Sequence, residues 1–195
     1  RGITVAHVVS SSKFAMKCEE AGVDAIVAEG FEAGGHNGRE ETTTLCLIPA
    51  VREATTLPLI AAGGIGTGEA IFALMALGAE GVQMGTRFAL TDESSASDIF
   101  KEYCLLNEGD TKLLLKKLAP TRLVINSFRD RVEAAEGRGA SAEELRELLG
   151  RGRAKKGIFE GDLEEGELEI GQVAALFRRR QSVDEVMKEL LEGYR

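Results

Sequence analysis

The sequence has no tryptophan, only 3 prolines and only 5% aromatic residues. Its 3 cysteines, Cys18, Cys46 and Cys104, are odd in number and lack the Cys-x-x-Cys spacing of a metal or redox site. We therefore expect neither a disulfide framework nor a bound metal, and a reducing compartment fits this composition. No apolar run approaches the roughly 20 residues that span a bilayer, and the first residues lack the pattern of a signal peptide. The sequence predicts a soluble, cytoplasmic protein with no membrane partner.

Negative charge outnumbers positive charge. The chain has 24 Lys and Arg against 32 Asp and Glu, which leaves a formal charge of -8. Such a field repels a phosphate backbone, so nucleic acid is not an expected partner. The chain does have 44% apolar residues and 23 glycines among its 195 residues. This is the composition of a globular protein.

Four short apolar runs are typical of strands that are buried on both faces. They lie at residues 3–9, 23–28, 57–62 and 82–90. Helical patterns separate them, and each pattern begins with hydroxyl residues that can act as N-caps, at 10–12, at 42–44 and at Thr67. Alternating strands and helices predict an α/β fold with a parallel sheet and right-handed crossovers.

The strand pattern stops beyond residue 91. Residues 96–118 and 141–150 are predicted to be helical, and the second helix opens with the capping box Ser141-x-x-Glu144. Neither segment shows the short apolar runs of the first part.

Residues 150–171 contain six glycines and many charged side chains, which indicates ordered turns or a lid. A last helix is predicted from Ser182, where Glu185 completes a second capping box. The sequence thus predicts two parts. Residues 1–95 form a β/α body, and residues 96–195 form a helical and glycine-rich extension that packs on it.

The densest candidate for a functional site follows the second predicted strand, in the segment Glu29-Gly-Phe-Glu-Ala-Gly-Gly-His36-Asn-Gly38. Parallel β/α folds form their active sites at this end of the strands. Gly34 and Gly35 let the backbone approach a flat ligand, and His36 is one of only 2 histidines. An imidazole suits proton transfer near neutral pH. The alternative is a flexible glycine loop that carries a solvated histidine.

Two further segments predict a phosphate site. After the third strand the chain passes through Gly63 and Gly64 into the helix that Thr67 caps, and backbone N–H groups there can hold a phosphate. In the fourth strand, Gly85 and Thr86 can supply further donors. Arg87 is predicted to provide a counter-charge. Glycine turns in two consecutive β/α units match the phosphate site that β/α barrels commonly form.

These segments together resemble the nitronate monooxygenase family, formerly called 2-nitropropane dioxygenase, and its relative, the flavin-dependent type II enoyl-acyl-carrier-protein reductase. The blocks that carry the resemblance are, in order, 29–36, 60–65, 83–88, 160–166 and 171–172, and the resemblance covers residues 2 to 192.

The resemblance implies an FMN-dependent (β/α)8 TIM barrel in which His36 is the catalytic proton-transfer residue. The residues that it implies for cofactor binding are Gly34, Gly35, Gly63, Gly64, Gly85, Thr86 and Gln172, with Gln172 in a segment that folds back over the flavin. Glu29 receives no firm role. FMN is expected rather than FAD, because only a single phosphate nest is visible and no Gly-x-Gly-x-x-Gly follows a first strand.

The family barrel has eight strands, and this chain supplies four, which resemble strands 5 to 8. The resemblance therefore implies the carboxyl-terminal half of the barrel with a helical or lid extension. Four parallel strands leave two apolar edges that invite association, and Arg1-Gly2 leads directly into a strand. We expect that the chain alone is not a stable, active monomer. The missing half would come from the same longer polypeptide or from another chain, as in a homo-oligomer.

The resemblance implies oxidation of alkyl nitronates, with dioxygen accepting the electrons. The alternative is NAD(P)H-dependent reduction of an enoyl thioester, and a further alternative is a non-catalytic half-barrel fragment or subunit. A phosphate-binding barrel like that of IMP dehydrogenase needs a cysteine nucleophile in the loop, and residues 30–41 contain none.

Overall fold

The computed structural model describes residues 2–107 and 110–195. Its strands are β1 (Ala6–Val9), β2 (Ala25–Glu29), β3 (Gly35–His36), β4 (Leu59–Ala62), β5 (Gly81–Gln83), β6 (Thr111–Leu114) and β7 (Thr121–Val124). Its α-helices are α1 (Ser12–Glu20), α2 (Thr44–Ala54), α3 (Gly68–Ala76), α4 (Thr86–Ala89), α5 (Asp98–Leu106), α6 (Ser127–Gly137), α7 (Ala142–Leu149) and α8 (Val183–Tyr194). A π-helical turn covers Lys155–Phe159, and a 3-10 helix covers Gln172–Leu176.

Four parallel strands form the main sheet, in the order β1-β2-β4-β5. The register places Ala6 opposite Ala25 and Ile60 opposite Gly81. The inner strands β2 and β4 are buried, and helix α2 packs on them through an apolar face. The predicted α/β fold with a parallel sheet is confirmed. Among the described residues, β1 and β5 are the outer strands of this sheet.

Hydroxyl side chains begin most of the helices that the sequence predicts. The hydroxyl of Ser11 accepts the N–H of Phe14 at the start of α1, and Thr67 accepts the N–H of Ala70 at the start of α3. Both predicted capping boxes are present, Ser141 with Glu144 and Ser182 with Glu185. These caps stabilise helix starts by satisfying N–H groups that the helix itself leaves without a partner.

The predicted strand at residues 82–90 is wrong beyond its first two residues. Strand β5 ends at Gln83, and the short helix α4 begins at Thr86. The N–H groups of Phe88 and Ala89 donate to the carbonyl of Gly85, which closes a helical turn. The apolar run alone does not distinguish this buried helical turn from a strand.

The predicted helix at residues 96–118 is also wrong in its second half. Helix α5 ends at Leu106, residues 108–109 lie outside the described residues, and an antiparallel hairpin of β6 and β7 follows. Strand β7 is buried at all four positions, so it lacks the alternation that marks a half-buried strand. A second, antiparallel sheet with the order β3-β7-β6 results.

The carboxyl-terminal helix packs directly on the first part of the chain. Gly68, at the start of α3, has no room for a Cβ because the backbone of α8 near Leu190 and Tyr194 lies against it. The small sheet covers the loop that follows β2, since β3 belongs to that loop. In the described part of the chain, no helix is both long enough and apolar enough to cross a membrane.

Candidate functional site

The carboxyl ends of β2, β4 and β5 open onto one cleft of about 260 Å³. This is the end of a parallel sheet where β/α proteins bind their ligands. Several residues predicted from the sequence line it, namely Gly34, Gly63, Gly64, Gly85 and Thr86. Glu29, Met84, Ile158, Glu169, Ile170 and Val173 complete much of its wall. The structure brings the glycine segments after β2, β4 and β5 together, and Gly35 does not line the cleft.

Glycine is required where the loops after β2 and β4 meet. Gly63 has a φ of +89°, and a Cβ at this position would lie 2.5 Å from the carbonyl oxygen of Gly30. The N–H of Gly30 donates to the carbonyl of Ala62 at 2.9 Å. The loops after β2 and β4 form the floor of the cleft. Because their backbones are in contact, this floor has a fixed shape.

Backbone donors at this floor fit a phosphate. Within residues 2–107 and 110–195, no protein acceptor takes the N–H groups of Gly64, Ile65, Gly85 or Thr86. A Cβ at Gly85 would meet open space, so the backbone there is accessible to a ligand. Free N–H groups that converge from two turns are typical of a phosphate site.

A segment from the carboxyl-terminal part closes one side of the cleft. The N–H of Gly171 donates to the hydroxyl of Thr86 at 2.9 Å, and the N–H of Gln172 donates to the carbonyl of Glu32 at 2.9 Å. Gln172 is exposed and does not line the cleft, whereas its neighbours Ile170 and Val173 do.

Glu32 connects the loop after β2 to helix α2. Its two carboxylate oxygens accept the N–H of Thr44 at 3.1 and 3.0 Å. The hydroxyl of Thr44 lies 2.8 Å from the carbonyl oxygen of Gly63, so the same threonine also contacts the loop after β4. The cap of α2 is thus a distant carboxylate instead of a hydroxyl of residues 42–44. No local feature of the sequence indicates this role of Glu32.

His36 does not line the cleft, whereas Gly34, two residues before it, does. Strand β3 holds it, since His36 pairs with Thr121 and Gly35 pairs with Arg122 of β7. The N–H of Asn37 then donates to the carbonyl of Pro120 at 2.7 Å. His36 itself is exposed, and hydrogen bonds fix the backbone on both sides of it.

Three glutamates near the cleft have raised pKa values. Burial raises the pKa of Glu29 and of Glu169, and the nearby His36 lowers that of Glu169. Burial together with the charge of Glu169 raises the pKa of Glu167 to about 7. Perturbed carboxyl groups that cluster beside a cleft are typical of functional sites.

The predicted role of Arg87 as a counter-charge in the cleft is wrong. Arg87 is buried on the other side of α4, where its guanidinium pairs with Glu189 of α8. The guanidinium also lies 4.4 Å from the centre of the Phe177 ring. Arg87 therefore fastens α8 to the body of the protein.

Glu169 and Ile170 line the cleft as part of a strand-like segment, residues 167–170, that was not predicted from the sequence. Its sequence, Glu167-Leu-Glu-Ile170, alternates polar and apolar residues, which is a strand pattern. The N–H of Val124 donates to the carbonyl of Leu168 at 2.9 Å, and Leu123 pairs with Glu169. The glycines that flank this segment favour turns and mask its alternation in the sequence.

Comparison with known proteins gives consistent matches. The sequence model described as "Nitronate monooxygenase" matches residues 1–193. A probable nitronate monooxygenase of Staphylococcus aureus (strain Newman) is 38% identical over 130 residues, which cover 61% of this chain and 36% of that protein. FabK from Thermotoga maritima is 37% identical with a TM-score of 0.91, over 99% of this chain and 61% of that chain.

Nitroalkane oxidase from Streptomyces ansochromogenes is 30% identical with a TM-score of 0.79, over 99% of this chain and 58% of that chain. This chain therefore spans little more than a third of the curated relative and about three fifths of the two solved structures.

Proposed function

The chain belongs to the nitronate monooxygenase family, and we propose from this membership and from the cleft that it carries the FMN site and the catalytic histidine of an enzyme that oxidises alkyl nitronates with dioxygen. The observation that carries the proposal is the convergence of glycine backbones from β4 and β5 beside the loop that ends in His36. Family, cleft and histidine together favour a flavin-dependent oxidoreductase.

The residues present fit FMN. Its single phosphate matches the free N–H groups of Gly64, Ile65, Gly85 and Thr86, and the open space beside Gly85 lets a ligand lie close to the backbone. We assign contact with the flavin to Gly34 and Gly35, and closure of the site to the segment that contains Gln172. When bound, the flavin supplies the electron transfer between substrate and dioxygen.

His36 has the task of moving a proton. With a neutral nitroalkane, its imidazole takes the α-proton, and the electron pair of the broken C–H bond passes into the nitro group to give the nitronate. With a preformed nitronate, His36 donates a hydrogen bond to the anionic substrate. Strand pairing with Thr121 holds its backbone in place during either task.

We further propose that β1, β2, β4 and β5 correspond to strands 5 to 8 of a TIM barrel, so that residues 1–95 are the half with the phosphate site and residues 96–195 pack on it. The outer strand β1 and the residues before it support this, because Val8 of β1 is 47% exposed and Ile3 is 73% exposed. The other half would come from the same longer polypeptide or from a partner copy. We place the enzyme in the cytoplasm.

A second candidate activity is the NAD(P)H-dependent reduction of an enoyl thioester. The similarity to FabK over nearly the whole chain favours it. In that case His36 would act near the carbonyl of the thioester, and the FMN site would be the same. The lining of the cleft is compatible with both activities.

The test uses the full polypeptide that contains these residues, purified with its cofactor. Flavin released by heat is identified by chromatography, and oxygen consumption with ethylnitronate is compared with NAD(P)H oxidation by a crotonyl thioester. We expect FMN and aerobic turnover of the nitronate. FAD in the eluate contradicts the cofactor, thioester reduction alone establishes the second candidate, and a colourless protein without either activity indicates a non-catalytic subunit.

A further inference from the structure

Two residues from distant parts of the chain lie side by side along strand β7. His36 pairs with Thr121, and Glu169 pairs with Leu123. Both pairs are antiparallel, and both partners occupy the same edge of β7, opposite β6. The loop after β2 and the segment that covers the cleft therefore meet end to end.

The register places the two side chains on one face. Thr121 and Leu123 are two residues apart in a strand, so their side chains point to the same side. Residues that pair directly across an antiparallel ladder share a face, so His36 lies on that side with Thr121 and Glu169 lies there with Leu123. Neighbouring positions of this kind lie about 7 Å apart between Cα atoms, which is within reach of long side chains.

The carboxylate of Glu169 reaches toward the histidine loop. A Cβ at Gly35 would lie 2.6 Å from Oε2 of Glu169, so this oxygen packs against the backbone immediately before His36. Gly35 has a φ of +71°, which a glycine adopts without strain. Glu169 also lines the cleft, whereas His36 does not.

We propose that Glu169 is the charge partner of His36 and positions its imidazole for proton transfer. When His36 accepts the α-proton of a neutral nitroalkane, it becomes an imidazolium cation, and the carboxylate of Glu169 stabilises that charge. The electron pair of the C–H bond remains on the substrate as the nitronate. The proton then passes from the imidazolium to solvent, which restores the neutral imidazole of His36. This proposal rests on the proposed function of His36.

The other charged groups around Glu169 do not take over this task. Glu167 lies two residues earlier in the same segment, and Glu29 lines the same cleft. Arg122 pairs with Gly35 across the ladder, but its guanidinium donates to the carbonyl of Phe31. His36 is thus the cation that acts on the pKa of Glu169, which burial raises and the histidine lowers.

The first test does not depend on activity. The titration of the Glu169 carboxyl carbon is followed by NMR in protein labelled with ¹³C-glutamate and assigned with Glu169→Gln. We expect His36→Gln to raise the pKa of Glu169, because the stabilising cation is lost, and His7→Gln to leave it unchanged. An unchanged Glu169 titration in His36→Gln would overturn the proposal.

The second test measures the proton step. We expect Glu169→Gln to lower kcat with nitroethane roughly tenfold or more, to shift its pH profile, and to change turnover of preformed ethylnitronate much less. Glu169→Asp should retain part of the rate, and the exposed Glu164→Gln should resemble the parent enzyme. Equal losses with both substrates would overturn the positioning role. If His36→Gln retains its activity with nitroethane and still raises the pKa of Glu169, the proposed catalytic role of His36 fails and the charge pair remains.

Discussion

The guanidinium of Arg122 holds the carbonyl of Phe31 from two of its nitrogens, Nη2 at 2.6 Å and Nε at 3.2 Å. The same guanidinium lies 4.9 Å from the centre of the Phe31 ring. Arg122 belongs to β7 of the small sheet, and Phe31 belongs to the loop after β2. The carboxyl-terminal part of the chain thereby fixes the loop that carries His36.

Replacement of Arg122 by methionine should therefore destabilise the protein. Arg122 is 2% exposed, and its loss leaves the carbonyl of Phe31 without a charged donor. Hydrogen bonds to charged groups contribute about 1.5–3 kcal/mol, so we expect the free energy of unfolding to fall by about that amount. Urea unfolding followed by circular dichroism measures it. Arg151→Met, at an exposed position, is the matched control and should change stability by less than about 0.5 kcal/mol.

Alanine should have opposite effects on stability at Gly63, which contacts Gly30, and at Gly137, which lies in open space. Gly63→Ala places a Cβ against the carbonyl of Gly30 at a positive φ, so we expect a loss of about 2 kcal/mol or more of unfolding free energy. Gly137→Ala, at the end of α6 with no atom within 4 Å, should stabilise by about 0.5–1 kcal/mol. Equal stabilities of the two variants would show that the two loops are not packed as described.

The parallel sheet and most helix starts follow from local sequence features. Buried parallel strands appear as short apolar runs, and a hydroxyl before a helix acts within three residues, as Thr67 does for Ala70. The glycine segments of the cleft were predictable for the same reason, since strand ends and helix starts fix their place.

The rest of the site depends on contacts between distant segments. Glu32 caps a helix that begins at Thr44, and Glu169 lies against Gly35 in the histidine loop because both segments pair with β7. No local pattern encodes such a pairing. Arg87 is the opposite case. Its place next to Thr86 in the sequence predicts a position in the cleft, but Glu189 of α8 holds its guanidinium on the other side of α4.

Stability should depend on pH through Glu167. Burial and the charge of Glu169 raise its pKa from 4.5 to about 7, so the folded state binds this proton more tightly than the unfolded chain does. The side chain therefore costs nothing well below pH 4.5, and it destabilises the fold progressively as the pH rises from about 4.5 to about 7. At about 1.4 kcal/mol per pKa unit, Glu167→Gln should gain up to about 3 kcal/mol at high pH and little at low pH.

Urea unfolding of Glu167→Gln across the pH range checks this sign. The exposed Glu164→Gln serves as the control, and we expect no comparable dependence there. A gain for Glu167→Gln that is larger at low pH than at high pH would contradict the buried, proton-binding carboxyl.

Charge at Gly64 should decide whether the cofactor is retained. Gly64 has a φ of +71°, so Asp and Asn impose the same backbone strain and nearly the same volume. Gly64→Asp adds a negative charge near the phosphate and also beside Glu32, whose side chain a Cβ at this position would meet at 3.2 Å. We therefore expect it to lose far more flavin than Gly64→Asn. The ratio of flavin to protein absorbance after gel filtration measures retention. Equal retention in both variants would place the phosphate elsewhere.

Turnover of one substrate in two protonation states tests the account most directly. Initial rates of oxygen consumption are measured for the parent enzyme and for His36→Gln, with neutral nitroethane and with preformed ethylnitronate. Because the nitronate has already lost its proton, we expect His36→Gln to lower the nitroethane rate roughly a hundredfold or more and the ethylnitronate rate much less. Equal rates for parent and variant on nitroethane would contradict a catalytic role of His36 in proton abstraction.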